Sequence, residues 1–130
     1  HDSKKKISNN TDIYLVNSYG KTKSFFKICK TVFLGGSLIE HGGQNPLEAA
    51  RYGCKILHGP NVSNFDEIYK FLNSQKISFK VQKQSGMLKI LNKLLSSKKD
   101  NQKNTKNKIF LKGKKILELS FKELSYYLEK

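Results

Sequence analysis

The sequence is short of several things, and each shortage closes a line of interpretation. Only two cysteines, Cys29 and Cys54, occur in 130 residues, with no CxxC spacing and no paired histidine at metal-ligand distance. Neither a zinc site nor a disulfide framework is expected. Set among Ile28 and Ile56, the two thiols read as buried and reduced, as in a cytoplasmic protein. No run approaches the ~20 apolar residues that a membrane-spanning helix needs, and no apolar stretch follows a basic start as in an export signal. Acidic residues number 10 against 25 Lys plus Arg, giving a formal net charge of +15, and Arg51 is the single arginine. GxGxxG and GxxxxGKS/T are both missing, which removes the signatures of dinucleotide and P-loop binding.

What remains is enough for one domain. Apolar residues at 37% and aromatics at 11% supply a core for a chain of 130 residues. The start at His1 and the bias toward Lys and Asn read as a piece of a longer chain. The charge is unevenly placed: residues 1–33 sum to +5, residues 34–75 to −1 and residues 76–130 to +11. Clustered lysines attract phosphates over roughly a Debye length, so +15 raises a nucleic-acid or anionic-membrane hypothesis. The motif-rich third is, however, the least basic.

Periodicity predicts strands alternating with helices. Strands are expected at Asp12–Asn17, Thr31–Leu34, Lys55–His58 and Ile77–Val81, and helices at Lys21–Cys29, Asn45–Tyr52 and Asn64–Asn73. Two further amphipathic helices are expected at Ser85–Leu95 and Lys115–Leu128, the second with Leu117, Phe121, Leu124 and Leu128 on one stripe. Tyr126, Tyr127 and Phe121 read as core and rim of that last helix. Ser97–Lys108 is nearly all polar and is expected to be a mobile, exposed loop. Strands separated by helices imply parallel βαβ crossovers, hence an α/β, Rossmann-like parallel sheet with flanking helices.

In such sheets ligands bind beyond the carboxyl ends of the strands. Three turns qualify: Ser18-Tyr19-Gly20, Gly35-Gly36-Ser37 and Gly59-Pro60-Asn61. The second is followed by another diglycine, Gly42-Gly43, which leads into Gln44-Asn45-Pro46-Leu47-Glu48. Asn45 as N-cap, Pro46 at the first helical position and Glu48 three residues on make a capping box. Asn64 and Glu67 repeat that pattern and read as a plain cap. Glycines around the first helix start offer an anion site, and Glu48 a carboxylate suited to a ribose diol. His41 and His58 lack a carboxylate partner in sequence and read as loop or strand-end groups.

The run from Val32 through Gly35-Gly36-Ser37-Leu38-Ile39-Glu40-His41-Gly42-Gly43-Gln44-Asn45-Pro46-Leu47-Glu48-Ala49-Ala50, continued by Gly59-Pro60 and Asn64-Phe65, resembles the C-terminal half of bacterial 3-deoxy-D-manno-octulosonic acid (Kdo) transferases. The likeness covers residues 12–72 well. It implies the donor-binding domain of a GT-B glycosyltransferase of lipopolysaccharide biosynthesis. Such an enzyme moves Kdo from CMP-Kdo to a lipid A precursor with inversion and without a metal or other cofactor. By position, Asn45 and Glu48 would hold the CMP ribose and nearby phosphate, with Gly20, Gly35, Gly36, Ser37, Gly42, Gly43 and Gln44 lining the nucleotide cleft. The family's general base and acceptor site belong to an N-terminal domain outside this chain. The resemblance therefore assigns no catalytic residue here and implies that the fragment alone is inactive. It also implies a peripheral protein at the cytoplasmic, anionic face of a Gram-negative inner membrane, with no nucleic-acid partner.

Two positions depart from the family: Gln44 stands where His is usual, and Asn17-Ser18-Tyr19-Gly20-Lys21 replaces a more acidic glycine loop. The rival readings are a GT-B domain for a UDP-sugar, and a non-enzymatic basic module for RNA or DNA.

Overall fold

A computed structural model of the chain describes residues 7–96 and 102–128. Its elements run α1 (Thr22–Ile28), β1 (Thr31–Leu34), α2 (Leu47–Arg51), β2 (Lys55–His58), a 3-10 turn (Ser63–Phe65), α3 (Asp66–Ser74), β3 (Ser78–Lys80), α4 (Gln84–Leu95) and α5 (Gln102–Leu128). The strands form one parallel sheet in the order β1-β2-β3, with Val32 opposite Ile56 and Leu57 opposite Phe79. The expected α/β architecture of a parallel sheet with flanking helices is what the chain adopts.

β2 is central, so both of its faces must be apolar, and Ile56 and Leu57 are fully or almost fully buried on opposite sides. Ile77, Leu72, Tyr69, Ala49, Ala50, Cys54 and Phe26 close the core around them. The two alanines matter because α2 is only five residues long and approaches the sheet closely through their small side chains. Cys54 is buried and donates to the carbonyls of Cys29 (3.1 Å) and Phe26 (3.4 Å); burial pushes its thiol up to about 11. Both cysteines are free, but Cys29 is only half-buried.

Four expectations need correction. Residues 12–17 form no strand: as a strand the segment would put Ile13 and Leu15 on one face and Tyr14 and Val16 on the other, and so would need cover on both. Here Ile13 and Leu15 stay exposed while Tyr14 packs on Phe25 with ring centroids 6.2 Å apart. Asn64 does not cap α3, which starts two residues later behind the 3-10 turn and has no side-chain cap. The polar segment expected to be a loop at 97–108 is helical from Gln102 onward, where it forms the first two turns of α5; residues 97–101 lie outside the described residues. Thr105 and Ile109 bury themselves there, and α5 packs on α2. Finally, Phe121, Tyr126 and Tyr127 are exposed on the far part of α5 and belong to no core.

Gly53 sets the approach of α5. It ends α2 with φ +85°, donates to the Ala50 carbonyl at 2.9 Å, and presents its bare Cα to Gln102, whose carbonyl would lie 2.8 Å from a Cβ. Left-handed backbone costs a non-glycine residue about 1–2 kcal/mol. Gly53→Ala is therefore expected to lower unfolding stability by at least about 1–2 kcal/mol, measured by urea denaturation followed by circular dichroism. An unchanged midpoint would show that the contact of α2 with α5 contributes nothing there.

Candidate functional site

The parallel register brings the carboxyl ends of β1 and β2 side by side, and the loops that leave them are laced together by one serine. Ser37 is completely buried; its hydroxyl donates to the Leu34 carbonyl (2.7 Å) and accepts from the Gly59 N–H (2.8 Å). The Ser37 carbonyl accepts in turn from Asn61 N–H at 2.9 Å. Gly59 approaches so closely that any Cβ would overlap the Ser37 carbonyl. Further along, Gly43 N–H donates to Gly36 O (3.2 Å) and Asn64 N–H to Gly42 O (3.3 Å), while the Tyr69 hydroxyl donates to Gln44 O (3.0 Å). Gly36, Gly42 and Gly43 all have positive φ, the coiled path that lets so short a loop turn back on itself.

Between the two loops lies a crevice of about 640 Å³ lined by Glu40, His41, Gly42, Asn61, Asn64 and Asp66, among others. Its walls offer amides, backbone groups and two carboxylates, with no lysine among the lining residues. Such a surface suits hydroxyl-bearing groups, which accept and donate, better than a bare anion.

The predicted site residues fall into three groups. Gly35, Gly36, Gly42, Gly43, Gln44 and Asn45 sit on one loop, with open space beside Gly35 and with the His41 ring and Gln44 amide flanking Gly36. Gln44 and Asn45 are exposed. The Asn45 side chain does cap α2, its Oδ1 accepting from Leu47 N–H at 3.0 Å. The reciprocal half of the capping box is not formed: the Glu48 carboxylate instead lies 3.7 Å from Lys23 of α1, both side chains largely solvated. With five residues and one of its first N–H groups already capped, α2 makes a weaker anion site than the sequence implied. Ser37 lines no cleft, because its hydroxyl is spent on the two loops. Gly20 stands apart in open space before α1, a helix that reaches the site helix through Phe26, buried with Ala49 and Ala50, and through the solvated Lys23–Glu48 pair.

Asn61 belongs to the Gly59-Pro60-Asn61 turn that the sequence marks as a strand end, whereas Asn64, which the sequence reads as a plain cap, also lines the crevice. Asn64 turns out to face the Cα of Gly42. His58 is a strand-end group, as expected: it is buried, its Nδ1–H donates to the Gly59 carbonyl (2.7 Å) and its ring lies 4.2 Å from that of Tyr69. Its Nε2 is buried with no partner. Burial therefore lowers its pKa from 6.5, opposed by the Gly59 bond and aided by the Lys80 charge. Among the described residues no three His, Cys, Asp or Glu side chains gather as a metal site.

No protein-family model matches the chain. It is 29% identical over 124 residues to the 3-deoxy-D-manno-octulosonic acid transferase of Haemophilus influenzae, covering 93% of this chain and 29% of that protein. The transferase of the same name from Rickettsia bellii is 33% identical over 96 residues, which is 74% of this chain and 22% of that protein. A solved structure, the C-terminal CMP-Kdo binding domain of WaaA from Acinetobacter baumannii, superimposes with a TM-score of 0.67 at 24% identity, covering 77% of this chain and 53% of that one. The resemblance expected from the sequence is thus borne out in sequence and in fold. The chain spans less than a third of the length of these curated relatives.

Two predictions follow from the laced loops. Ser37→Ala leaves a buried N–H and a carbonyl without their partner and is expected to cost about 1–3 kcal/mol of stability; Gly59→Ala should cost more, and equal midpoints in urea would refute the close approach. Because the folded-state pKa of His58 is depressed, its contribution is complete above 6.5 and is lost as pH falls below that value. The urea midpoint should drop between about pH 7.5 and about pH 5.5, with a smaller drop in His58→Leu; identical slopes would rule this group out.

Proposed function

We propose that this chain is the donor-binding, C-terminal domain of a Kdo transferase, a GT-B glycosyltransferase that holds CMP-Kdo at the carboxyl ends of β1 and β2. The observation that carries this reading is the laced pair of strand-end loops, which sets the glycine loop at the carboxyl ends of β1 and β2 beside a crevice that Gly42 alone of the named glycine-loop residues lines, in a chain similar to such transferases over most of its length. In open α/β sheets this is where nucleotides sit.

In this reading Gly35, Gly36, Gly42 and Gly43 let the nucleotide approach the backbone, Gln44 and Asn45 border it, and Glu48 accepts from the ribose hydroxyls, with Gly20 on the flank. Ser37 serves by holding the floor of the site. The acceptor, a lipid A precursor, and the general base belong to another domain. Transfer then depends on holding the donor's anomeric carbon in line with the acceptor hydroxyl across the interdomain cleft. Backbone N–H groups of the glycine loop take up charge on the departing CMP phosphate. No metal or other cofactor takes part, and the complete enzyme works at the cytoplasmic, anionic surface of a Gram-negative inner membrane. No helix among the described residues is long and apolar enough to cross a membrane.

The domain alone is inactive and binds CMP weakly, since half of the cleft is missing. Amide chemical-shift titration of the 130-residue chain with CMP, and with UMP in parallel, tests the reading. Shifts centred on Gly35, Gly36 and Gly42 to Glu48 and larger for CMP are expected, and Glu48→Gln should weaken them several-fold. Equal shifts with UMP would favour a UDP-sugar donor, and silence at those residues would refute a donor site on this chain.

A further inference from the structure

The glycine loop is held at its start, its middle and its exit. Ser37 fixes the start, and the bonds from Gly43 N–H to Gly36 O and from Asn64 N–H to Gly42 O fix the middle. The exit, where Gln44 and Asn45 lead into α2, is held by a side chain of α3: the Tyr69 hydroxyl donates to the Gln44 carbonyl at 3.0 Å, across 25 residues of chain. Gly42 and Gly43 stand immediately before it, with φ of +82° and +76°. Glycine backbone is the least restricted in a chain, so the direction in which the loop leaves depends on what holds Gln44.

Tyr69 is a firm anchor. Its side chain is buried, its ring lies 4.2 Å from that of His58, and its own carbonyl accepts from the buried Ser78 hydroxyl at 3.4 Å. Burial pushes the phenol up to about 12, so the hydroxyl stays a donor at physiological pH. The ring belongs to the core while the hydroxyl reaches a loop, the usual division of a buried tyrosine. Packing alone would be served by phenylalanine. Gln44 is exposed, so water could satisfy its carbonyl if the hydroxyl were absent; what Tyr69 adds is position. That position governs two things. The Gln44 amide lies beside Gly36, 3.6 Å from where a Cβ would stand, and the next residue, Asn45, caps α2.

We infer that Tyr69 is a positioning residue of the donor site: its hydroxyl fixes the exit of the glycine loop, so that Gln44, Asn45 and the start of α2 meet the nucleotide in one arrangement. Tyr69 touches no ligand and acts through Gln44. The inference deepens the donor-binding reading above and rests on it. A loop already held in its bound shape loses less freedom on binding, so release of the exit shows as weaker binding before it shows as unfolding.

Tyr69→Phe in the 130-residue chain keeps the ring and removes the hydroxyl. The expected result is a urea midpoint close to wild type, larger motion of the Gly42, Gly43 and Gln44 amides by nuclear magnetic relaxation, and a CMP titration midpoint raised about fivefold. Ser74→Ala removes an exposed hydroxyl that donates to Phe71 O (2.8 Å) on the same helix; it should change none of these and so reports what a general loosening of α3 does. Unchanged loop motion or an unchanged CMP midpoint in Tyr69→Phe overturns the inference. So does a CMP midpoint raised equally by Ser74→Ala, or a urea midpoint lowered by Tyr69→Phe as far as by Ser37→Ala, which would make the hydroxyl a support of the fold and not of the site. Wild-type silence toward CMP fails the donor site and this inference with it. Wild-type shifts at Gly35, Gly36 and Gly42 to Glu48 whose midpoint Tyr69→Phe leaves in place fail this inference alone.

Discussion

The Ser37 hydroxyl is the constraint on which the site depends. A three-stranded parallel sheet with strands of three or four residues fixes where β1 and β2 end, but nothing in the ladder fixes where the chain goes next. Ser37 answers that by accepting from one loop and donating to the other, in a place with no room for a Cβ on Gly59. A buried hydroxyl that satisfies both a donor and an acceptor also removes two polar groups that would otherwise be costly to bury. With that junction in place, the main-chain bonds of Asn61, Gly42 and Asn64 and the Tyr69 hydroxyl complete a lattice of contacts, and the crevice is the space the lattice leaves open.

Where the sequence pattern was legible, local and tertiary demands agree. Thr31–Leu34 and Lys55–His58 are short apolar runs bounded by glycine, and they are strands because their neighbours bury them. Tyr69 and Leu72 sit at helical spacing and are buried. The misreadings share a different cause. Residues 12–17 have a strand's composition, but a strand exists only with a partner, and composition names no partner. Gln102 to Lys108 has the composition of a loop, yet it is helical where Thr105 and Ile109 are buried and the bare Cα of Gly53 lets Gln102 approach. Both errors come from deciding locally what packing decides.

The glycine loop was legible as a candidate site because four glycines within nine residues have no purpose in a strand or helix. The division of labour within it was not. Ser37 looked like a lining residue, and only the fold shows its hydroxyl turned inward; Asn61 looked like a turn residue and Asn64 like a helix cap, and only the fold brings them across from Gly42. Hydrogen-bonding side chains in glycine loops are ambiguous in sequence, since the same amide can hold the backbone or a ligand.

The distribution of charge separates two surfaces that a single figure of +15 conceals. The residues that build the crevice come from the third of the chain that sums to −1, and its lining carries Glu40 and Asp66. The excess lies elsewhere, much of it on α5. At physiological ionic strength the field of an exposed lysine fades over about 8 Å, so a solvated lysine acts on what touches its own surface and hardly on a ligand in a crevice farther away. Recognition in the crevice must then come from hydrogen bonds and backbone approach, which require the rigidity that Ser37 supplies.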